Sequence, residues 1–303
     1  MKALIILVIF SLSAYGSVDE VAPKGRVMQS NQDIEIIFGG SIDTLLENYP
    51  STFSTECLAP VDTCWHTVTN RLSSPSLPTV TIKDGAHTLL EIQNVGDLNI
   101  VINKRRGSEI RDVSLTIRGL PDDSLHSEQK DFIYKVLRQL MSSGWEHMYR
   151  FPAARIPGSE SHKLEDAEYV LGEYALIHPW FDPRNEASIE QWMQYSGIYS
   201  WLFYQAYSYV NVSVQRRDSQ AEPGERGTYL IQIKLMDESS YWRQHFSGKQ
   251  LNNWQQLLPG LLEQYRQNRE SREEKTRAAG IEIEESYQDP PIKFLEVSPG
   301  TRL

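Results

Sequence analysis

The chain has 303 residues, with 30 Lys and Arg against 40 Asp and Glu, for a formal net charge of −10. Its hydrophobic (40%) and charged (23%) fractions, with 18 Gly, 15 Pro and 2 Cys, exclude a collagen, a low-complexity disordered chain and a disulfide-dense miniprotein. The acidic balance argues against sequence-independent nucleic-acid binding and against docking on an anionic membrane, since both draw on basic charge.

At the N-terminus Lys2 precedes an apolar run from Ala3 to Leu12, and the small residues Ala14 and Gly16 precede a cut after Gly16. This is the order of a secretory signal peptide, residues 1–16, and implies export to the periplasm. The run is shorter than the roughly 20 residues that span a bilayer. Cleavage removes one lysine and no acid, which makes the mature charge −11. Cys57 and Cys64, in CLAPVDTC, lack the C-x-x-C spacing of a redox motif and the second pair of a zinc site. In an exported chain they are expected to form one structural disulfide closing a small loop.

In chain order, Ile34–Phe38 reads as a strand, 42–48 as a short helix, and the Ser/Thr/Pro-rich stretch 50–78 as a loop. Strands follow at 79–82 and 88–93, then at Leu98, Ile100 and Ile102, whose alternation marks a half-buried strand. The basic cluster Lys104-Arg105-Arg106-Gly107 is the expected domain boundary. It divides a β-rich domain (17–106) carrying the disulfide from an α+β domain (107–303).

Val113, Leu115 and Ile117 alternate as the next strand, and Ser124 or Ser127 is placed to cap a helix. Ile133, Val136, Leu137 and Leu140 give that helix one apolar face, and Gly144 a C-terminal stop. Trp145, His147, Tyr149 and Phe151 alternate as a strand. A turn at 180–183 precedes a short helix (187–195). Strands at 201–204 and 207–215 come next, and one at 229–235 lies beyond a polar connection. Two helices close the chain, at 251–258 and from Pro259 onward; from Arg266 to Arg277 no residue of the second is apolar. The expected fold class is α+β, with an antiparallel or mixed sheet and C-terminal helices.

Catalytic signatures are missing from the sequence: there is no G-x-S-x-G, H-E-x-x-H, P-loop or G-x-G-x-x-G. Ser127-Glu128-Gln129-Lys130 matches S-x-x-K without its companion motifs and reads as a helix start. The seven histidines stand singly, His147 as an interior residue and His178 as the first to test. The acid pairs Asp122-Asp123, Glu165-Asp166 and Glu284-Glu285 read as solvated surface. Trp192, Trp201, Trp242 and Trp254 fall on periodic faces and read as core. No catalytic residue, metal or cofactor is expected.

Two segments stand out as candidate partner-binding loops. In HPWFDPRN (178–185), two prolines limit burial in regular structure, leaving Trp180, Phe181, Asp182 and Arg184 as interface anchors. In RRDSQAEPGERG (216–227), a connection longer than an ordinary hairpin loop carries Arg216, Arg217, Glu222 and Glu225. The polar half-helix 266–277 reads as a solvated face, or as a contact with the N-terminal domain or an external partner.

The runs SLTIRGLPDD, SSGW, YLIQIKLMDESSYWR and EQYRQNRESREEKTRAAGIEIEESYQDPP, all in the C-terminal two-thirds, resemble periplasmic immunity proteins of type VI secretion loci, the class that neutralises lipase effectors. The resemblance implies a stoichiometric inhibitor, not an enzyme, that occludes a toxin encoded nearby; no individual residue is carried over from it. An acidic inhibitor would meet a basic toxin surface with favourable steering. The alternatives are an envelope hydrolase, with acids converging across the two domains, and an envelope assembly or adaptor protein.

Overall fold

A computed structural model describes residues 32–71, 74–175 and 177–296. The expected signal peptide lies outside them. The chain begins with β1 (Ile34–Ile37) and α1 (Ile42–Asn48), then β2 (Ser54–Leu58), β3 (Thr63–Thr69), β4 (Val80–Asp84), β5 (His87–Ile92) and β6 (Val95–Asn103). It continues with β7 (Asp112–Ile117), β8 (Ser124–Leu125), α2 (His126–Ser142), β9 (Glu146–His147), β10 (Tyr169–Val170), β11 (Glu173–Tyr174) and α3 (Ile189–Gln194). Last come β12 (Tyr199–Gln205), β13 (Ser208–Asp218), β14 (Arg226–Asp237), α4 (Glu238–Arg243), α5 (Trp254–Ala278) and α6 (Lys293–Glu296).

The fold is α+β. A small mixed sheet, β1–β4–β5, stands near the N-terminus beside a nine-stranded antiparallel sheet ordered β2–β3–β6–β7–β14–β13–β12–β9, with β8 also pairing β14. Alternation within each strand becomes rows across the sheet. Val68, Leu98, Leu115, Ile233, Val212 and Trp201 are successive neighbours on six strands, and all are buried. Helix α2 buries Ile133, Tyr134, Leu137 and Leu140 in the core that these rows form. On the opposite face the next row is polar: Thr69, Asp97, Thr116, Gln232, Ser213 and Ser200. One end of that face is covered, where Met236, Tyr209 and Leu202 pack with Tyr241 and Trp242 of α4 and Trp254 and Leu258 of α5.

Several expectations are corrected. The segment 104–106 is a single 3-10 turn between β6 and β7, which are hydrogen-bonded neighbours in the large sheet. One apolar cluster contains Ile36 and Ile82 from the small sheet together with Leu137 and Ile233, and the Trp145 indole donates to the Leu89 carbonyl at 2.9 Å. The stretch 50–78 holds the β2–β3 pair. Its threonines read as loop, but Thr is β-branched and suits a pleated surface, and Cys64, His66 and Val68 alternate inward between them. The Cys57–Cys64 disulfide joins residues directly opposite each other in this pair.

Helix α2 starts after Leu125 with no side-chain cap, because Leu125 at the cap position carries no acceptor; Ser124, one residue earlier, donates its hydroxyl to the Pro121 carbonyl. Gly144 does provide the stop: its φ of 92° suits glycine, and Trp145 N–H closes back on the Leu140 carbonyl. The expected strand at 145–151 shrinks to β9, paired at only two positions. The two expected C-terminal helices are one helix of 25 residues with Pro259 inside it. Pro259 gives up one backbone bond, and the buried Trp254 and Leu258 anchor the turns around it.

Candidate functional site

The 178–185 loop folds inward. Trp180 and Phe181 are each only 2% exposed, so they are core residues and offer no surface to a partner. The Trp180 indole donates to the Ser161 carbonyl, and Phe181 packs against Trp192, Tyr195 and Tyr199. A 3-10 turn over Pro179–Phe181, held by Trp180 N–H donating to His178 Nδ1, leaves Pro179 half-buried at its start while Pro183 beyond it is buried.

Asp182 is buried too, accepting from Gly158 N–H at 2.9 Å and from Arg184 N–H. A Cβ on Gly158 would lie 2.6 Å from the Asp182 Cβ, so this approach requires glycine. Arg184 is the hub of a clamp. Its guanidinium donates to both Asp182 oxygens at 2.9 and 2.8 Å, and to both Glu284 oxygens at 2.9 and 2.8 Å. Tyr149 completes the ring, donating to Glu284 at 2.7 Å and accepting from Arg184 at 3.0 Å. Glu284 was expected as solvated surface; instead it ties the C-terminal segment to this loop, while Glu285 pairs with Arg277.

The electrostatics follow from that geometry. Burial alone would raise the Asp182 carboxyl, but the Arg184 bonds and nearby His147 hold it below its usual range. The Arg184 bond likewise lowers Glu284, against the opposing effect of burial. Burial, followed by the Glu284 bond, pushes the Tyr149 phenol up and keeps it protonated. Burial lowers both His147 and His178 to about 4, so both are neutral at pH 7. Asp182 and Glu284 are thus both engaged by one arginine and held ionised, which suits a structural clamp and not a general acid.

Beside the clamp lies an apolar cleft of about 170 Å³, walled by Ala154, Ile156, Val170, Leu171, Ile177 and Pro179. Its outer wall is the β10–β11 hairpin, whose turn places Leu171 and Gly172 at φ 50° and 80°, the primed geometry of a two-residue hairpin. Glu173 fastens the hairpin to α5 through Arg272 and Lys275 at 2.7 and 2.6 Å. Tyr169, Leu171 and Tyr174 remain 44%, 41% and 54% exposed. Tyr174 also borders a wider depression of about 540 Å³ on the polar sheet face, with Tyr195, Ile198, Ser213 and Gln232. Sequence reasoning passed over this hairpin; the signal was two aromatic–acid pairs flanking Leu-Gly in EYVLGEY.

In the second candidate loop the strands run on to Asp218 and resume at Arg226, so the connection is only 219–225. Arg216 points inward, donating to the Trp192 carbonyl and the Tyr199 hydroxyl, and pairs with Asp218. Arg217, Glu222 and Glu225 are exposed, and Glu222 pairs with Arg226. Nothing brings the 178–185 and 216–227 candidates together as one exposed surface, because the inward residues of both serve the aromatic core around Trp192. Among the described residues no His, Cys, Asp and Glu group is placed to hold a metal ion, and no helix is long and apolar enough to cross a membrane. No family model, curated protein or solved structure matches the chain.

Proposed function

We propose that this chain is a periplasmic protein-binding protein that acts by occlusion and not by turnover: an immunity protein that covers the active site of a type VI secreted effector. A phospholipase is the effector class that the sequence resemblance implies. The observation that supports binding is the exposed apolar rim of Tyr169, Leu171, Tyr174 and Ile198, set between a preformed apolar cleft and an uncovered sheet face. Exposed aromatic side chains beside a pocket are favoured anchors of a protein interface, and truncating one that is a hot spot costs about 2 kcal/mol or more of binding. The hydrolase alternative has less to draw on, since Asp182 and Glu284 are engaged by Arg184.

The test is protection. Deleting the gene should make cells sensitive to siblings armed with the effector encoded nearby, and the wild-type chain should restore growth. A Leu171→Ser, Tyr174→Ala variant should fold but fail to protect. Normal growth of the deletion strain beside armed siblings would overturn the reading.

A further inference from the structure

A second cavity, of about 290 Å³, is lined by residues of β6, the 104–106 turn, β7, β14 and α4 and shares no residue with the proposed interface. Four cations line it, Arg106, Arg111, Lys234 and Arg243, against two carboxylates, Glu109 and Asp112. Two of the four are matched by acids: Lys234 pairs with Asp112 at 2.9 Å, and Arg111 with Asp237 at 3.0 Å. The other two have only neutral partners among the described residues. Arg106 donates to the hydroxyls of Ser239 and Ser240, at 2.9 and 3.5 Å, and Arg243 to the Leu251 carbonyl at 3.1 Å.

This arrangement is unusual in a chain of net charge −10, where other arginines such as Arg155, Arg184, Arg269 and Arg272 each hold a carboxylate. Three guanidiniums, from the 104–106 turn, the residue just before β7 and the end of α4, line one half-buried hollow. Burial and the like charges of Arg243 and Arg111 both lower Arg106 from its ordinary value, while Asp237 and Asp112 act in the opposite direction. An anion would relieve that repulsion. Guanidinium forks match phosphate oxygens in pairs, and a phosphate, with more oxygens and up to two negative charges, satisfies two forks more fully than a singly charged carboxylate does. Val101, Phe246 and Leu251 supply an apolar wall beside the cations, which suits the organic part of an ester.

We propose that this cavity is a phosphate-binding site for a phosphate monoester, with Arg106 and Arg243 as its principal ligands and Ser239 and Ser240 orienting Arg106. The monoester's source is either a small soluble molecule or a lipid headgroup, and the two have separate readouts.

The experiment titrates the full mature chain at low ionic strength with inorganic phosphate, glycerol 3-phosphate and acetate. Sedimentation with phosphatidylcholine vesicles containing phosphatidic acid is measured alongside. The expected result is saturable one-to-one binding of phosphate, tighter for glycerol 3-phosphate and at least tenfold weaker for acetate. Arg106→Gln and Arg243→Gln should each weaken phosphate binding at least tenfold, whereas Arg266→Gln, exposed on α5, should leave it unchanged. Arg106→Lys, which keeps the charge without the fork, should fall between. In the unmodified chain the Nε–H resonances of Arg106 and Arg243 should shift on phosphate addition, a readout that holds even where a variant fails to fold. Vesicle binding lost in both variants would assign the lipid source; vesicle indifference with retained glycerol 3-phosphate binding would assign the soluble one. No saturable phosphate binding, acetate binding as tightly as phosphate, or binding indifferent to both Gln variants would overturn the proposal. None of these results bears on toxin protection.

Discussion

Glu273 on α5 is the sharpest test of what holds the C-terminal helix in place. Its side chain is 4% exposed and accepts from Arg155 Nε at 2.7 Å, Arg155 Nη2 at 2.8 Å and the Arg155 backbone N–H at 3.3 Å. Glu273→Ala removes the acid and leaves a largely buried guanidinium without its main partner, a change that costs about 3–5 kcal/mol. Arg155 would keep Glu285 at 3.7 Å and the Tyr287 carbonyl at 3.4 Å, which places the expected loss near the lower end, about 3 kcal/mol. The pair itself is worth much less than its rupture: an Arg155→Met, Glu273→Leu variant should lie within about 1 kcal/mol of the parent. Urea unfolding followed by circular dichroism measures both. The same series carries a pH signature. Burial raises the Glu273 carboxyl, but the Arg155 bonds more than offset this and its folded value lies below 4.5. A depressed acid stabilises the fold above its unfolded value and loses that contribution as pH falls through the folded one. The gap between parent and Glu273→Ala should therefore be full at pH 7 and shrink below about pH 4.5. The reasoning fails if Glu273→Ala costs less than about 1 kcal/mol, or no more than Glu270→Ala, whose side chain is exposed on the same helix.

Three further outcomes are expected. Trp192→Ala should cost about 3–5 kcal/mol in urea unfolding, because the indole is fully buried and stacked on Tyr199 with ring centroids 4.0 Å apart. Reducing the Cys57–Cys64 disulfide, which spans a sequence separation of seven, should lower stability by about 2 kcal/mol on the loop-closure account. Stability should also fall between pH 6.5 and pH 4, because burial lowers His147 and His178 to about 4 and the unfolded chain takes up their protons first. His147→Gln should flatten that slope; an unchanged urea midpoint between pH 7 and pH 5 in the parent would contradict it.

Much of the fold is legible in the sequence. The alternations at Leu98–Ile102, Val113–Ile117, Val210–Val214 and Tyr229–Leu235 lie on β6, β7, β13 and β14, the centre of the large sheet. The face around Ile133 and Leu137 belongs to α2, and 42–48 is α1. The misreadings share a cause. Thr63, Thr67 and Thr69 suggest loop by polarity while their branching suits a strand, and the two prolines in 178–185 suggest exposure while the turn at 179–181 buries Trp180 and Phe181. The apolar hairpin 169–174 has strands of only two residues each, too short for any period to register.

The candidate surfaces show the limit more plainly. Arg184 and Glu284 meet across 100 residues of chain, Arg155 and Glu273 across 118, and Arg106 and Ser239 across 133. A run of apolar side chains announces its burial locally, because each one carries its own reason to leave water and the period of the element sets where it points. A charged side chain carries no such reason: it is buried only where a partner from another part of the chain compensates its lost hydration. Hence Arg269, Glu273 and Thr276, in a stretch of α5 without one apolar residue, are as buried as many core residues. The central strands β6, β7, β13 and β14, helix α2 and the α+β class follow from the sequence by itself. Which charges are clamped inward, which two arginines at the second cavity have no carboxylate partner among the described residues, and which tyrosines face outward were decided only when the distant segments came together.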